Sequence, residues 1–135
     1  MDRLGIARIA EDVSFKGTPS MDAHAIFDAF DSLGVRRGSS TSVEHTQFQA
    51  QILPRHYEDT VELYNTIIST ASFPDIEIDV SKQLTLEELK RLEDSPIQRA
   101  MYLTFQAALG DPLGRMPMGE PETLAVIDAS DVRSF

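Results

Sequence analysis

His24, Asp28 and Asp31 stand at i, i+4 and i+7, so one face of a helix would present an imidazole and two carboxylates. Those groups are chemically sound ligands for zinc or manganese. The same three residues are also what an amphipathic helix must place opposite Ile26, Phe27, Phe30 and Leu33. The solvated-face reading takes precedence, and no metal-ligating residue is assigned.

Glu77 to Glu88 carries acids at a spacing close to that of a calcium-binding loop. Lys82, however, falls where the sharp turn of such a loop requires glycine. Arg36-Arg37-Gly38-Ser39-Ser40-Thr41-Ser42 sets two guanidiniums and several hydroxyls ahead of an expected helix start, a place suited to a phosphate. It lacks the lysine and glycine spacing of a phosphate-binding loop, so it reads as a surface loop able to meet an anion or an acidic neighbour. No serine lies in a glycine-framed nucleophile elbow. His56, beside Tyr57, Glu58 and Asp59, marks a helix start with acids placed favourably for its dipole. With no cysteine, thiolate chemistry and disulfides are excluded together. Neither a catalytic nor a cofactor-binding residue is assigned, and the chain reads as a non-enzyme that takes no cofactor.

The elements that would position these residues are mainly α-helical. At 135 residues, with 41% hydrophobic and 25% charged side chains, the chain suits one packed domain. Ser20 reads as the N-cap of a helix over 21–33 that ends at Gly34. Val43, Phe48, Ile52 and Leu53 suggest a helix from Ser42. Tyr57, Val61, Tyr64, Ile68 and Ala71 form an amphipathic stripe after Pro54. Ile76, Ile78 and Val80 alternate with acids as in a half-buried strand. Thr85 and Glu88 form a capping box that opens a helix through Leu92, and Ser95-Pro96 opens another that closes at Gly110. Leu124 to Ile127 can form a second short strand.

The expected architecture is a small bundle of four to five helices with one or two short strands. It divides into an N-terminal arm (1–19), a helical core (20–110) and an extended C-terminal arm (111–135), the last broken by Pro112, Gly114, Pro117, Gly119 and Pro121. Phe27, Phe30, Tyr64, Ile68, Leu89, Met101 and Phe105 are the expected core.

A net charge of −10 argues against direct nucleic-acid binding, and the acids from Glu58 to Asp79 run without a base. No apolar run reaches the length of a signal peptide or a membrane span, which sets the expectation at a cytoplasmic protein or one in a particle assembled there. Apolar residues in both arms then favour contact with other protein chains, whether copies of this one or neighbouring subunits. Leu113, Met116, Met118, Leu124, Val126 and Ile127, with Arg36 and Arg37, are the candidate interaction residues. Small helical proteins with ordered arms are similar in kind to connector, tail or capsid-associated components of viral particles, tailed phages above all. The expectation from sequence is therefore a structural protein, an oligomeric virion component acting by protein–protein interaction. The alternative is an acidic regulator or inhibitor that covers a basic partner.

Overall fold

In the computed structural model, which describes residues 3–135, the chain opens on a buried helix, α1 (Ile6–Val13). Met1 and Asp2, the first residues of the expected N-terminal arm, lie outside the described residues. The order continues through α2 (Ala23–Ser32), β1 (Arg36–Thr41), β2 (Thr46–Gln51), a 3-10 turn (Pro54–His56) and α3 (Tyr57–Thr70). It ends with α4 (Asp75–Glu93), α5 (Pro96–Leu109), α6 (Pro121–Val126) and α7 (Ala129–Ser134). Seven helices and one two-stranded antiparallel sheet among the described residues make the protein mainly helical with short strands, as its sequence implied.

One apolar cluster is built on α1, and a second begins just past its C-terminal end. Ile6, Ile9 and Val13 project from one side of α1 onto Ile78 and Leu89 of α4, Leu124 of α6, Ile127 and Val132 of α7. Two residues past Val13, Phe15 enters the second cluster, with Ile26 and Phe30 of α2 and Ile67 of α3. Aromatic rings meet there edge to face: Phe15 lies 5.5 Å from Phe48 and Phe30 lies 5.1 Å from Tyr64, centroid to centroid.

Glycine decides how the chain's end reaches its beginning. Gly5 (φ 99°) and Gly119 (φ 82°) both take left-handed backbone, and they sit against each other. A Cβ on Gly119 would clash with the Leu4 carbonyl oxygen. Thr123 then donates its hydroxyl to the same carbonyl at 2.8 Å. This contact seats α6 on the start of α1.

Several local elements differ from the sequence reading. Ile76 to Val80 is the first half of α4, not a strand: Ile78 is buried whereas Ile76 is 72% exposed. The inward line of α4 is Ile78, Ser81, Thr85 and Leu89, a helical period that the alternation of Ile and Val hides. The Thr85 hydroxyl donates to the Ser81 carbonyl at 2.8 Å within that helix and caps nothing. Residues from Ser42 do not start a helix. Ser42 closes the β1–β2 turn by accepting from the His45 backbone amide at 3.1 Å, and Thr41 pairs with Thr46. Leu124 to Val126 lie in α6 rather than a strand, and α2 is capped by Asp22, which accepts from Ala25, rather than by Ser20. Of the expected core, Phe30 and Leu89 are buried and Tyr64 half-buried, while Phe27, Ile68, Met101 and Phe105 are exposed. The last two lie on α5, which packs on α4 alone among the larger interfaces.

Candidate functional site

The polar side of α1 is enclosed as well as its apolar side. Arg8, Glu11 and Asp12 occupy i, i+3 and i+4 and therefore share one face. β1 and α4 both pack on α1, and Thr41 of β1 reaches Glu11 while Glu88 of α4 reaches Arg8. The Glu11 carboxylate is only 4% exposed and accepts a hydrogen bond from the Thr41 hydroxyl of β1 at 2.7 Å. A buried carboxylate with a single neutral donor is costly, and a nearby cation offsets that cost. Arg8 supplies it: Nη1 lies 3.6 Å from Glu11 Oε2, and Nη2 lies 3.7 Å from Glu88 Oε2 on α4. The guanidinium thus joins two carboxylates from two helices. Beside it, Asp12, Ser81, Thr85 and Arg91 border a cleft of about 190 Å³.

The residues singled out by sequence fall elsewhere. His24 Nδ1 and Asp28 Oδ2 are 2.9 Å apart on the exposed side of α2. They and Asp31 do not converge: no group of three or more His, Cys, Asp or Glu residues able to hold a metal ion occurs among the described residues. Arg36 is exposed on β1, and Arg37 lies over the Phe27 ring at 4.3 Å, with Phe15 and Phe30 at 4.9 and 5.2 Å. The stretch they begin is a strand, so the expected anion loop ahead of a helix does not exist. Burial pushes the nearby Tyr64 phenol up, and the Arg37 charge opposes the shift. Met116, Leu124 and Ile127 are buried in the first cluster with Met118 packed against it, whereas Leu113 and Val126 are exposed.

Sequence reasoning missed Arg8, Glu11 and Glu88. The available signal was the spacing Arg8-x-x-Glu11-Asp12 on a short helix, which has the form of the zinc-peptidase motif H-x-x-E-H with neither histidine present.

Comparison with known proteins gives that spacing its context. The profile of Insulinase (Peptidase family M16) matches residues 1–119. "Uncharacterized zinc protease YmxG" of Bacillus subtilis is 30% identical over 132 residues, which is 97% of this chain and 32% of that protein. An "uncharacterized zinc protease" of Mycobacterium bovis is 27% identical, over 97% of this chain and 30% of its own length. The mitochondrial cytochrome b-c1 complex subunit 1 of Bos taurus is 25% identical, over 97% and 28%. In fold, the chain is similar to a peptidase M16 inactive domain from Pseudomonas fluorescens (TM-score 0.87, 17% identity, 98% of this chain and 33% of that one). A protease from Helicobacter pylori is similar at TM-score 0.86 and 20% identity, over 98% and 32%. This chain therefore spans about a third of the length of the curated relatives it matches.

These matches overturn the expectation of a structural virion component, and of an acidic inhibitor beside it: the chain matches the M16 peptidase family, and several relatives are named zinc proteases. The analogy to phage components rested on size, charge and apolar ends, none of which is specific to any fold. No helix among the described residues is long and apolar enough to cross a membrane.

Relatives named zinc proteases imply zinc, and the donor set here does not fit it. Zinc takes imidazole nitrogen, thiolate or carboxylate ligands. A guanidinium stays protonated and has no lone pair to give. Arg8 therefore brings a positive charge to a place where a cation would need a ligand. The three histidines stand on α2, in the hairpin turn and at the 3-10 turn, none of them on α1.

Proposed function

Because this chain belongs to the insulinase family, peptidase family M16, we propose that it carries the family's fold without zinc-dependent peptide hydrolysis of its own. The observation that supports this is Arg8, paired with Glu11 and Glu88 at the polar face of α1. Hydrolysis by a zinc peptidase needs an ion with an open coordination position for water. In this chain the polar face of α1 carries the Arg8 ion pairs instead. The Pseudomonas fluorescens neighbour is named an inactive domain, which agrees with this reading.

The partner side of the proposal rests on α5. Ile97, Met101, Phe105 and Leu109 are each more than half exposed, and Leu113 continues them into a groove with Tyr102. Contiguous apolar surface of this kind is characteristic of a covered interface. The proposed cover is further polypeptide of M16 type, of which the relatives have about twice as much again. Leu113, the exposed member of the expected contact residues nearest this groove, belongs to that face.

The test is direct. The purified 135-residue chain, shown folded by circular dichroism, is assayed for bound zinc by mass spectrometry and for cleavage of a fluorogenic peptide library with added zinc. The expected result is less than stoichiometric zinc and no cleavage above buffer. One zinc per chain with chelator-sensitive cleavage would refute the proposal.

A further inference from the structure

We infer that Arg8 is a built-in cation: its guanidinium stands in for a metal ion as the charge that ties α1 to α4. The inference rests on the zinc-free reading above and deepens it by naming what replaces the ion.

Two carboxylates from separate helices converge on one cation. Glu11 lies 3.6 Å from Arg8 Nη1 and Glu88 lies 3.7 Å from Nη2. Glu11 is held in place by the Thr41 hydroxyl, so its position does not depend on Arg8 alone. On the α4 side, Ser81 and Thr85 are buried and small, which brings the two helix backbones close enough for side chains to meet across them. Every other charged group bordering the cleft is an acid except Arg91, which pairs with Glu87 at 3.7 Å. Removal of the Arg8 charge would leave Asp12, Glu87 and Glu88 of the cleft against Arg91 alone, and Glu11 without its cation. Such a pocket needs a cation, and a guanidinium supplies one positive charge where a divalent metal ion would supply two. They differ in chemistry: the ion accepts lone pairs and activates water, whereas the guanidinium only donates hydrogen bonds. On this inference the fold keeps the electrostatic tie and loses the reaction.

A second consequence follows from the positions of Arg8 and Asp12 at i and i+4. Replacing both with histidine would aim two imidazoles from one helix face toward Glu88, a donor set of the kind zinc takes. The experiment compares the wild-type chain, Arg8→His/Asp12→His and Arg8→His/Asp12→His/Glu88→Gln by thermal melting with equimolar zinc chloride and again after excess chelator. A ligand that binds only the folded state raises Tm. The expected result is a chelator-reversible rise of several degrees in the double variant, at least halved in the triple variant and absent from wild type. A folded double variant whose Tm ignores zinc would overturn the inference while the zinc-free reading of the natural chain stood. A zinc-dependent rise in the wild-type chain would overturn that reading itself. If the double variant does not fold, Arg8→Gln is measured with and without Glu88→Gln. The tie predicts that Arg8→Gln lowers Tm by several degrees when Glu88 is present and by less than half as much when it is absent; equal losses would overturn it.

Discussion

Helix α1 is eight residues long and its Ile9 and Val13 are wholly buried, whereas α5 is fourteen residues long and buries none of its side chains. Both carry apolar residues at helical spacing. The difference lies in what surrounds them. α1 touches α4, β1, β2 and α7, so even its charged face is partly covered, whereas α5 rests on α4 alone among the larger interfaces. Apolar spacing states that a helix needs a cover; it does not state which part of the chain supplies one, or whether the chain supplies it at all. On the polar face of α1, Arg8 pairs with Glu11 of its own helix and Glu88 of α4.

The sharpest way to break this comparison is to cut the same volume from each helix. Ile9→Ala should cost roughly 2–5 kcal/mol, because the site is closed and cannot collapse fully. Met101→Ala, at a residue 57% exposed, should stay within about 1 kcal/mol. Urea unfolding of the two variants measures both; similar losses would erase the distinction between the helices. Gly119→Ala comes next. The left-handed backbone alone costs a side chain about 1–2 kcal/mol, and its Cβ would meet the Leu4 carbonyl. The loss should loosen α6 from α1, seen as faster amide exchange at Ile6 and Ile9 without change in α5. Protection unchanged in α1 would show that the glycine contact does not hold the two ends together.

A smaller effect is expected from Phe105→Ser. Folding stability should change by no more than about 0.5 kcal/mol, as for other surface sites, while self-association of the isolated chain at high concentration, read by light scattering, should fall. A large loss of stability would mean that α5 belongs to the chain's own core. The smallest effect concerns α7, which caps the α1 cluster. Asp128 is held below its ordinary carboxyl value of 3.8 by the Ser130 hydroxyl first and the Asp131 backbone amide next. A lowered folded-state value means that the charged form is favoured in the fold. The contribution is therefore complete above the unfolded value and is lost as pH falls through the lower folded one. Asp128→Asn should accordingly lower Tm slightly at neutral pH, with the difference from wild type vanishing as pH falls below about 4, so that its acid limb is flatter. An acid limb as steep as that of the wild type would remove the assignment.

Much of the helical content was legible from spacing and caps. α3 and α5 begin at Pro54-containing and Ser95-Pro96 signals, and Gly110 ends α5 with positive φ as its type suggests. Burial was less legible. On α3 the stripe of Tyr57, Val61 and Ile68 is exposed, and the inward line is Thr60 and Ile67, with Leu63 and Tyr64 half-buried beside them. The β1–β2 hairpin was not legible as such. Val43, Phe48, Ile52 and Leu53 match a helix loosely, and the strand is selected by Phe48 reaching Phe15, a contact from outside the segment.

By itself the sequence determined that this is a cysteine-free, acidic, mainly helical chain, and it placed α2, α3 and α5. Those properties depend on composition and on residues within a few positions of one another, where periodicity and capping act. Only the tertiary structure decided that α1 lies at the junction of two clusters. It also decided that Arg8 meets both Glu11 and Glu88, and that residues around Gly119 close over the start of the chain. Each of those facts joins residues far apart in sequence. No local pattern of side chains encodes the distance between an arginine on one helix and a glutamate on another. Packing sets that distance, and with it whether the polar face of α1 can take an ion.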